Sequence, residues 1–107
     1  FILPKATEDS DPSWFAFVVT VKESAPFTRD EITNFLNAKL IETRNLFGGN
    51  LTKQPAFMNK KWENYESLDN TDTITANTFF LGTYPGLTDQ IFDYSASILS
   101  EFMNNIR

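Results

Sequence analysis

Residues 13–22, SWFAFVVTVK, constrain the fold more than any other stretch, because the run is almost continuously apolar, β-branched or aromatic and bounded by polar segments. Such a run reads as a β-strand buried largely on both faces. Period-two alternation places Phe15, Phe17, Val19 and Val21 on one side, and Trp14, Ala16, Val18 and Thr20 on the other. The rest of the chain has to supply the cover that both sides require.

That cover is legible downstream. In FTRDEI, Thr28 and Glu31 have the spacing of a capping box, and Phe27 is placed to staple onto Ile32. Ile32, Phe35, Leu36 and Leu40 follow at helical spacing and read as core rather than as a site. LIETR (residues 40–44) reads as a short returning strand, and residues 59–69 as a polar loop or single helical turn dotted with Trp62 and Tyr65. NTDTITANT predicts a short helix from Asn70, capped by Asn70 or Thr71. FFLGTY (residues 79–84) predicts the last strand, closed by a turn at Pro85 and Gly86. Thr88 then caps a final helix with Ile91, Tyr94, Ile98, Leu99, Phe102 and Ile106 on one face. The order β-α-β-loop-α-β-α implies an α+β domain, a short sheet with helices packed mainly on one face.

Composition narrows the function. One domain of 107 residues with eleven phenylalanines can hold a core without staples. The net charge of −5, with nine cations spread among fourteen carboxylates, argues against nucleic-acid binding. No apolar run approaches the length of a membrane span, so no membrane partner and a cytoplasmic location are expected. Cysteine is absent, which removes disulfides and thiolate metal sites, and histidine, the commonest general base, is absent too. No catalytic residue and no metal site are expected in this chain. Residues 1–12 read as a linker-like lead; Glu8, Asp9 and Asp11 there form a solvated acidic cluster rather than a metal site. The lead enters abruptly at Phe1, as in a piece of a longer protein.

One segment stands apart. RNLFGGNLTKQPAF (residues 44–57) combines adjacent glycines, amides and cations with leucine and phenylalanine. Its glycines come in the wrong order for a phosphate loop of the Walker type, and NLT (residues 50–52) is a three-residue match to a glycosylation acceptor of little weight. Two readings stand at this point. Gly48 and Gly49 permit φ > 0 and close backbone approach while Arg44 and Lys53 supply charge, which suits a phosphate-like anion. Alternatively, and as paired glycines after a strand more usually do, they make a tight turn, with Arg44 a surface ion-pair partner.

The segments LPKATEDSDPSWFAFVVTVK, FTRDEITNFLNAKLIETRNLFGGNLTKQPAF and NTDTITANTFFLGTYPGLT together resemble the C-terminal small domain of the sugar aminotransferase/dehydrase (DegT/DnrJ/EryC/StrS) family of vitamin B6 enzymes. Most narrowly they look like the 3-dehydrases acting on CDP-4-keto-6-deoxy-glucose. The resemblance covers essentially the whole chain, and FGGNL in place of a proline- and histidine-containing turn favours the dehydrase branch over the aminotransferase branch.

The resemblance implies the small domain of an aspartate-aminotransferase (fold type I) PLP enzyme. It also implies a parent using PLP or its pyridoxamine form (PMP), in some members with an iron–sulfur cluster. Those groups would lie in a large domain of the same chain, none in these 107 residues. The parent would be a homodimer, served by a separate reductase, acting on a nucleotide-sugar in deoxysugar and lipopolysaccharide biosynthesis. Arg44, Asn45, Gly48, Gly49, Asn50, Lys53 and Gln54 would then contact substrate: cations and amides on the pyrophosphate, Asn45 and Gln54 on sugar or phosphate oxygens. A free-standing anion-binding module and a packing domain remain as alternatives.

Overall fold

A computed structural model describes residues 1–63 and 66–106. The elements are β1 (Ala16–Thr20), α1 (Arg29–Ala38), β2 (Thr43–Asn45), a single 3-10 turn (Leu51–Lys53), α2 (Asp69–Asn77), β3 (Thr78–Gly82) and α3 (Asp89–Asn105). The strands form one sheet in the order β1-β3-β2, and β3 is antiparallel to both neighbours. β1 and β2 therefore run parallel to each other, linked through α1, with the last strand of the chain inserted between them.

The register sorts the side chains. Val19 lies opposite Phe79 and Phe17 opposite Leu81, on the face that meets the helices. There Val19, Val21, Phe27, Ile32, Leu36, Phe79, Ile98 and Phe102 form the core. Phe79, Ile32 and Leu36 are fully buried, each worth about 1.5–3 kcal/mol in apolar transfer. Phe102 is met edge-on by Phe27 at 5.1 Å between ring centroids, and Phe35 lies 5.2 Å away. On the other face Thr20 and Thr78 share a hydroxyl hydrogen bond of 2.8 Å, and Phe80 lies opposite Val18 and Arg44. Helices α1 and α3 pack on one side of the sheet, as the sequence implies.

Local signals place most boundaries. Thr28 caps α1 through the Glu31 amide, and the Glu31 carboxylate accepts from the Thr28 N–H at 2.6 Å, completing the capping box. Thr88 caps α3 through Ile91. At the other end of α1, Asn37 fixes β2 with two bonds, its amide donating to the Thr43 hydroxyl and its carbonyl accepting the Thr43 N–H, both at 2.9 Å.

Several expectations shift. β1 starts at Ala16, so the alternation does not extend to Phe15, whose ring packs on Phe80 on the opposite face. Ala16, expected with exposed Trp14, is buried. α2 begins at Asp69 behind Leu68, without a side-chain cap, instead of at Asn70. Ile91 and Tyr94 are partly exposed, and the Tyr94 hydroxyl donates to the Lys39 carbonyl at 2.9 Å. The lead is not wholly detached: Ile2 pairs with Thr20, and Phe1 rests on Phe27. Trp62 is about half exposed; Asn64 and Tyr65 lie outside the described residues.

Leu40 departs furthest. Expected on the buried stripe of α1, it is 93% exposed at φ 61°. The helix ends there because the Leu40 N–H donates to the Asn37 carbonyl and the Ile41 N–H to Leu36, a Schellman closure with leucine where glycine is usual. Leu40→Gly is expected to stabilise the chain by about 0.5–1 kcal/mol, the left-handed cost of a side chain less glycine's larger entropy loss. A urea midpoint that falls instead would show that Leu40 makes a stabilising contact.

Candidate functional site

The loop after β2 is built from within. Asn45 ends the strand, and its carbonyl accepts the Phe47 N–H at 2.8 Å, forcing a tight reversal. Phe47 at φ 48° and Gly49 at φ 62° both occupy the left-handed region, whereas Gly48 does not. The first glycine is therefore not required for a positive φ. A Cβ at Gly48 would come within 3.1 Å of the Gln54 amide nitrogen, which donates to the Gly48 carbonyl.

Gly49 has a second reason to be glycine. A Cβ there would stand 2.6 Å from Cγ2 and 2.8 Å from Oγ1 of Thr75, on α2. The expected close approach exists, but its partner is the protein's own helix.

Asn50 is the hinge of this packing and is only 4% exposed. Its N–H donates to Thr75 Oγ1 at 2.9 Å, its side-chain amide donates to Asp72 Oδ1 at 2.7 Å, and its Oδ1 accepts from the Thr52 N–H and hydroxyl. Lys53 reaches the other Asp72 oxygen at 2.8 Å. The Asn50 amide and the Lys53 ammonium, expected to meet a ligand, are thus engaged by α2. Burial of Asn50 also removes it as a glycosylation acceptor in the folded chain.

The network continues past Thr75. Its hydroxyl donates back to the Thr71 carbonyl at 2.7 Å, and its own carbonyl accepts Arg29 Nη1 at 2.6 Å. The sequence alone does not single out Asp72, Thr75 or Arg29. The available signal is the i, i+3 spacing of Asp72 and Thr75, which puts two polar side chains on one face of a short helix.

Arg44 stands elsewhere. It lies on the edge strand opposite Phe80, its side chain 70% exposed, with Nε and Nη2 donating to Glu42 Oε1 at 3.0 and 2.7 Å. Asn45 and Gly48 are exposed. Among the described residues the Gly48 and Gly49 N–H groups find no protein acceptor. The seven residues therefore divide: Asn50, Lys53 and Gln54 hold the loop's shape, while Arg44, Asn45 and Gly48 are exposed and the Gly48 and Gly49 N–H groups have no protein acceptor among the described residues.

This architecture can be set beside known proteins. Residues 1–99 match the DegT/DnrJ/EryC1/StrS aminotransferase family. The chain belongs to that family. Over 102 residues it is 47% identical to dTDP-4-dehydro-2,6-dideoxy-D-glucose 3-dehydratase of Saccharopolyspora spinosa, covering 95% of this chain and 22% of that protein. Over 100 residues it is 50% identical to lipopolysaccharide biosynthesis protein RfbH of Salmonella typhimurium, covering 94% and 23%. Among solved structures, GDP-4-keto-6-deoxymannose-3-dehydratase with a trapped PLP-glutamate geminal diamine aligns with a TM-score of 0.74 at 27% identity, over 91% of this chain and 25% of that one. The family fold is thus that of PLP-dependent 3-dehydratases, and the chain spans under a quarter of the length of these curated relatives.

The residues described here do not fit that cofactor. Lys39 and Lys53 are held in ion pairs with Glu101 and Asp72, and Lys5, Lys22, Lys60 and Lys61 stand exposed. Histidine and cysteine are absent from the sequence. Among the described residues no three carboxylates gather as a metal site.

The loop clasp is testable by stability. Asn50→Ala leaves Thr52 and Asp72 without their buried partner and is expected to cost about 1–3 kcal/mol by urea denaturation.

Asp72 adds a pH dependence. Hydrogen bonds from Lys53 and then Asn50 hold its carboxyl below the ordinary carboxylate range, against a smaller opposing effect of desolvation. Its contribution is complete above the unfolded carboxylate pKa of about 4 and is lost as pH falls through the lower folded value. Asp72→Asn should therefore lower the urea midpoint at pH 6 and narrow its gap from wild type at pH 2.5; an equal loss at both values would remove the carboxylate from the explanation.

Proposed function

We propose that this chain is the C-terminal domain of a nucleotide-sugar 3-dehydratase that uses PLP, in its pyridoxamine form, in deoxysugar and lipopolysaccharide biosynthesis. The observation that carries the reading is the identity of 47% and 50% over nearly the whole chain to proteins more than four times its length. The cofactor, and any iron–sulfur cluster, belong to the large domain, since this sequence has no cysteine or histidine. The parent works in the cytoplasm as a homodimer beside a separate reductase.

In this reading the domain's part is substrate binding. The relatives' names specify dTDP- and GDP-linked sugars, so the nucleotide varies and the pyrophosphate is the constant feature. Arg44 is the residue suited to it: an exposed guanidinium, paired with an equally exposed Glu42, exchanges that partner for a dianion at small cost. The Gly48 and Gly49 amides add donors, Asn45 orients a sugar or phosphate oxygen, and the Asn50, Lys53 and Gln54 contacts hold them in place. A CDP-sugar is the first substrate to test, with dTDP and GDP sugars beside it.

Arg44→Ala in the full-length protein is expected to weaken nucleotide-sugar binding by about 1.5–3 kcal/mol, the range for hydrogen bonds to charged groups, and to leave PLP binding intact. Titration calorimetry decides it, because a mere surface ion pair contributes at most about 1 kcal/mol, to stability and not to affinity. The 107-residue chain supplied with cofactor should show no dehydration of a CDP-4-keto sugar; measurable product would overturn the assignment of chemistry to the large domain.

A further inference from the structure

Helix α2 has little of its own to hold it together. Its sequence, DNTDTITAN, is threonine, asparagine and aspartate at all but two positions, and these are weak helix formers. It has no side-chain N-cap and buries none of its residues. Neither propensity nor apolar packing accounts for it, so its support is polar and comes from elsewhere in the fold.

That support arrives from two sides. Arg29, at the start of α1, donates from Nη1 to the Thr75 carbonyl at 2.6 Å, with its side chain only 14% exposed and paired to Asp30. A cation is thereby placed by the last turn of α2, which has none of its own, where it favours the helix dipole. From the other side the glycine loop meets Thr75. Thr75 Oγ1 accepts the Asn50 N–H at 2.9 Å while donating to the Thr71 carbonyl at 2.7 Å. Its Cγ2 lies 2.6 Å from the place a Cβ on Gly49 would take, so the methyl rests directly against that glycine.

One side chain therefore fixes two successive loop residues, Gly49 by contact and Asn50 by a hydrogen bond. Because a peptide unit is planar, anchoring the Asn50 N–H orients the whole peptide between Gly49 and Asn50. The loop's other bonds act elsewhere: Gln54 holds the Gly48 carbonyl, and Asp72 grips the side chains of Asn50 and Lys53. α2 runs into β3 at Thr78 without a break, which ties this anchor to the middle strand of the sheet.

We infer that Thr75 is a positioning residue for nucleotide-sugar binding, acting through the backbone of Gly49 and Asn50 to aim the Gly48 and Gly49 N–H groups at the pyrophosphate. This rests on the reading of the loop as a substrate-binding element. Among the described residues those two N–H groups have no protein acceptor, whereas both hydrogen-bonding roles of the Thr75 hydroxyl are taken. Thr75 thus contributes to affinity by preorganising donors, without touching the ligand.

The experiment uses the full-length protein with PLP bound. Titration calorimetry with CDP-, dTDP- and GDP-glucose selects the tightest of the three as probe. Thr75→Val keeps the branched shape and removes the hydroxyl; it is expected to raise the Kd of that probe about fivefold, with the PLP absorbance spectrum unchanged. Thr75→Ser restores the hydroxyl and is expected to return the Kd to within about twofold of wild type. A Thr75→Val protein that loses stability in urea and yet binds as wild type does would make the contact purely structural and overturn the inference. Hydrogen exchange read at single amides in the wild type gives a second test that needs no variant. Asn50 is expected to exchange slowly with and without the probe, and Gly48 and Gly49 rapidly until the probe slows them. Rapid exchange at Asn50 in the free protein, or no slowing at the glycines, overturns the inference as well. Arg44→Ala separates the two readings. If it weakens binding and Thr75→Val does not, the loop still binds substrate and only the positioning role fails; if neither variant changes affinity, both fail together.

Discussion

The fold depends on the burial of β3 between two strands that precede it in sequence. Phe79, in the middle strand, is 1% exposed and meets Val19 across one ladder while the helices close over it. Apart from the single bridge from Ile2 to Thr20, neither β1 nor β2 has a strand partner until β3 arrives from the far end of the chain, so the pairing is non-local and its loop-closure entropy is met only when the helical layer packs. The three-residue β2 would be a weak edge by itself; Asn37 ties it to α1 with two side-chain bonds.

The parts of this arrangement that could be read from sequence are those whose cause is local. The capping box at Thr28 and the cap at Thr88 depend on residues three positions apart, and the apolar stripe of α1 through Ile32 and Leu36 follows the helical period. Leu40 continues that period and yet leaves the helix, because the stop is set by backbone closure onto Leu36 and Asn37 rather than by a glycine or proline. Phe15 likewise obeys the alternation on paper; it fails because the strand begins one residue later and an aromatic partner waits on the other face.

The loop shows the same limit more sharply. Its glycines announced close approach, and Gly49 indeed makes one, but the approaching atoms belong to Thr75, far along the chain. Composition shows that cations and amides are present without showing which are already bound. Asp72 accepts from both Asn50 and Lys53, so part of the loop's apparent positive charge is already paired within the domain. What remains outward is set by β2, whose register fixes Arg44 across from Phe80. The family and its fold were legible because they rest on segments spread over the whole chain, whereas the role of each polar group rests on single contacts.

The hydrogen bonds from Arg29 to the Thr75 carbonyl and from Asn50 to the Thr75 hydroxyl give the loop an owner. Loop and α2 interlock at Gly49, Asn50, Lys53, Asp72 and Thr75, so they constitute one heritable cassette. Arg44 and Asn45 lie outside the interlock. A loop exchanged between relatives would keep these contacts if residues 48–75 were carried together. A graft of the glycine loop alone would arrive with a Gly49 backbone shaped for a threonine it no longer meets.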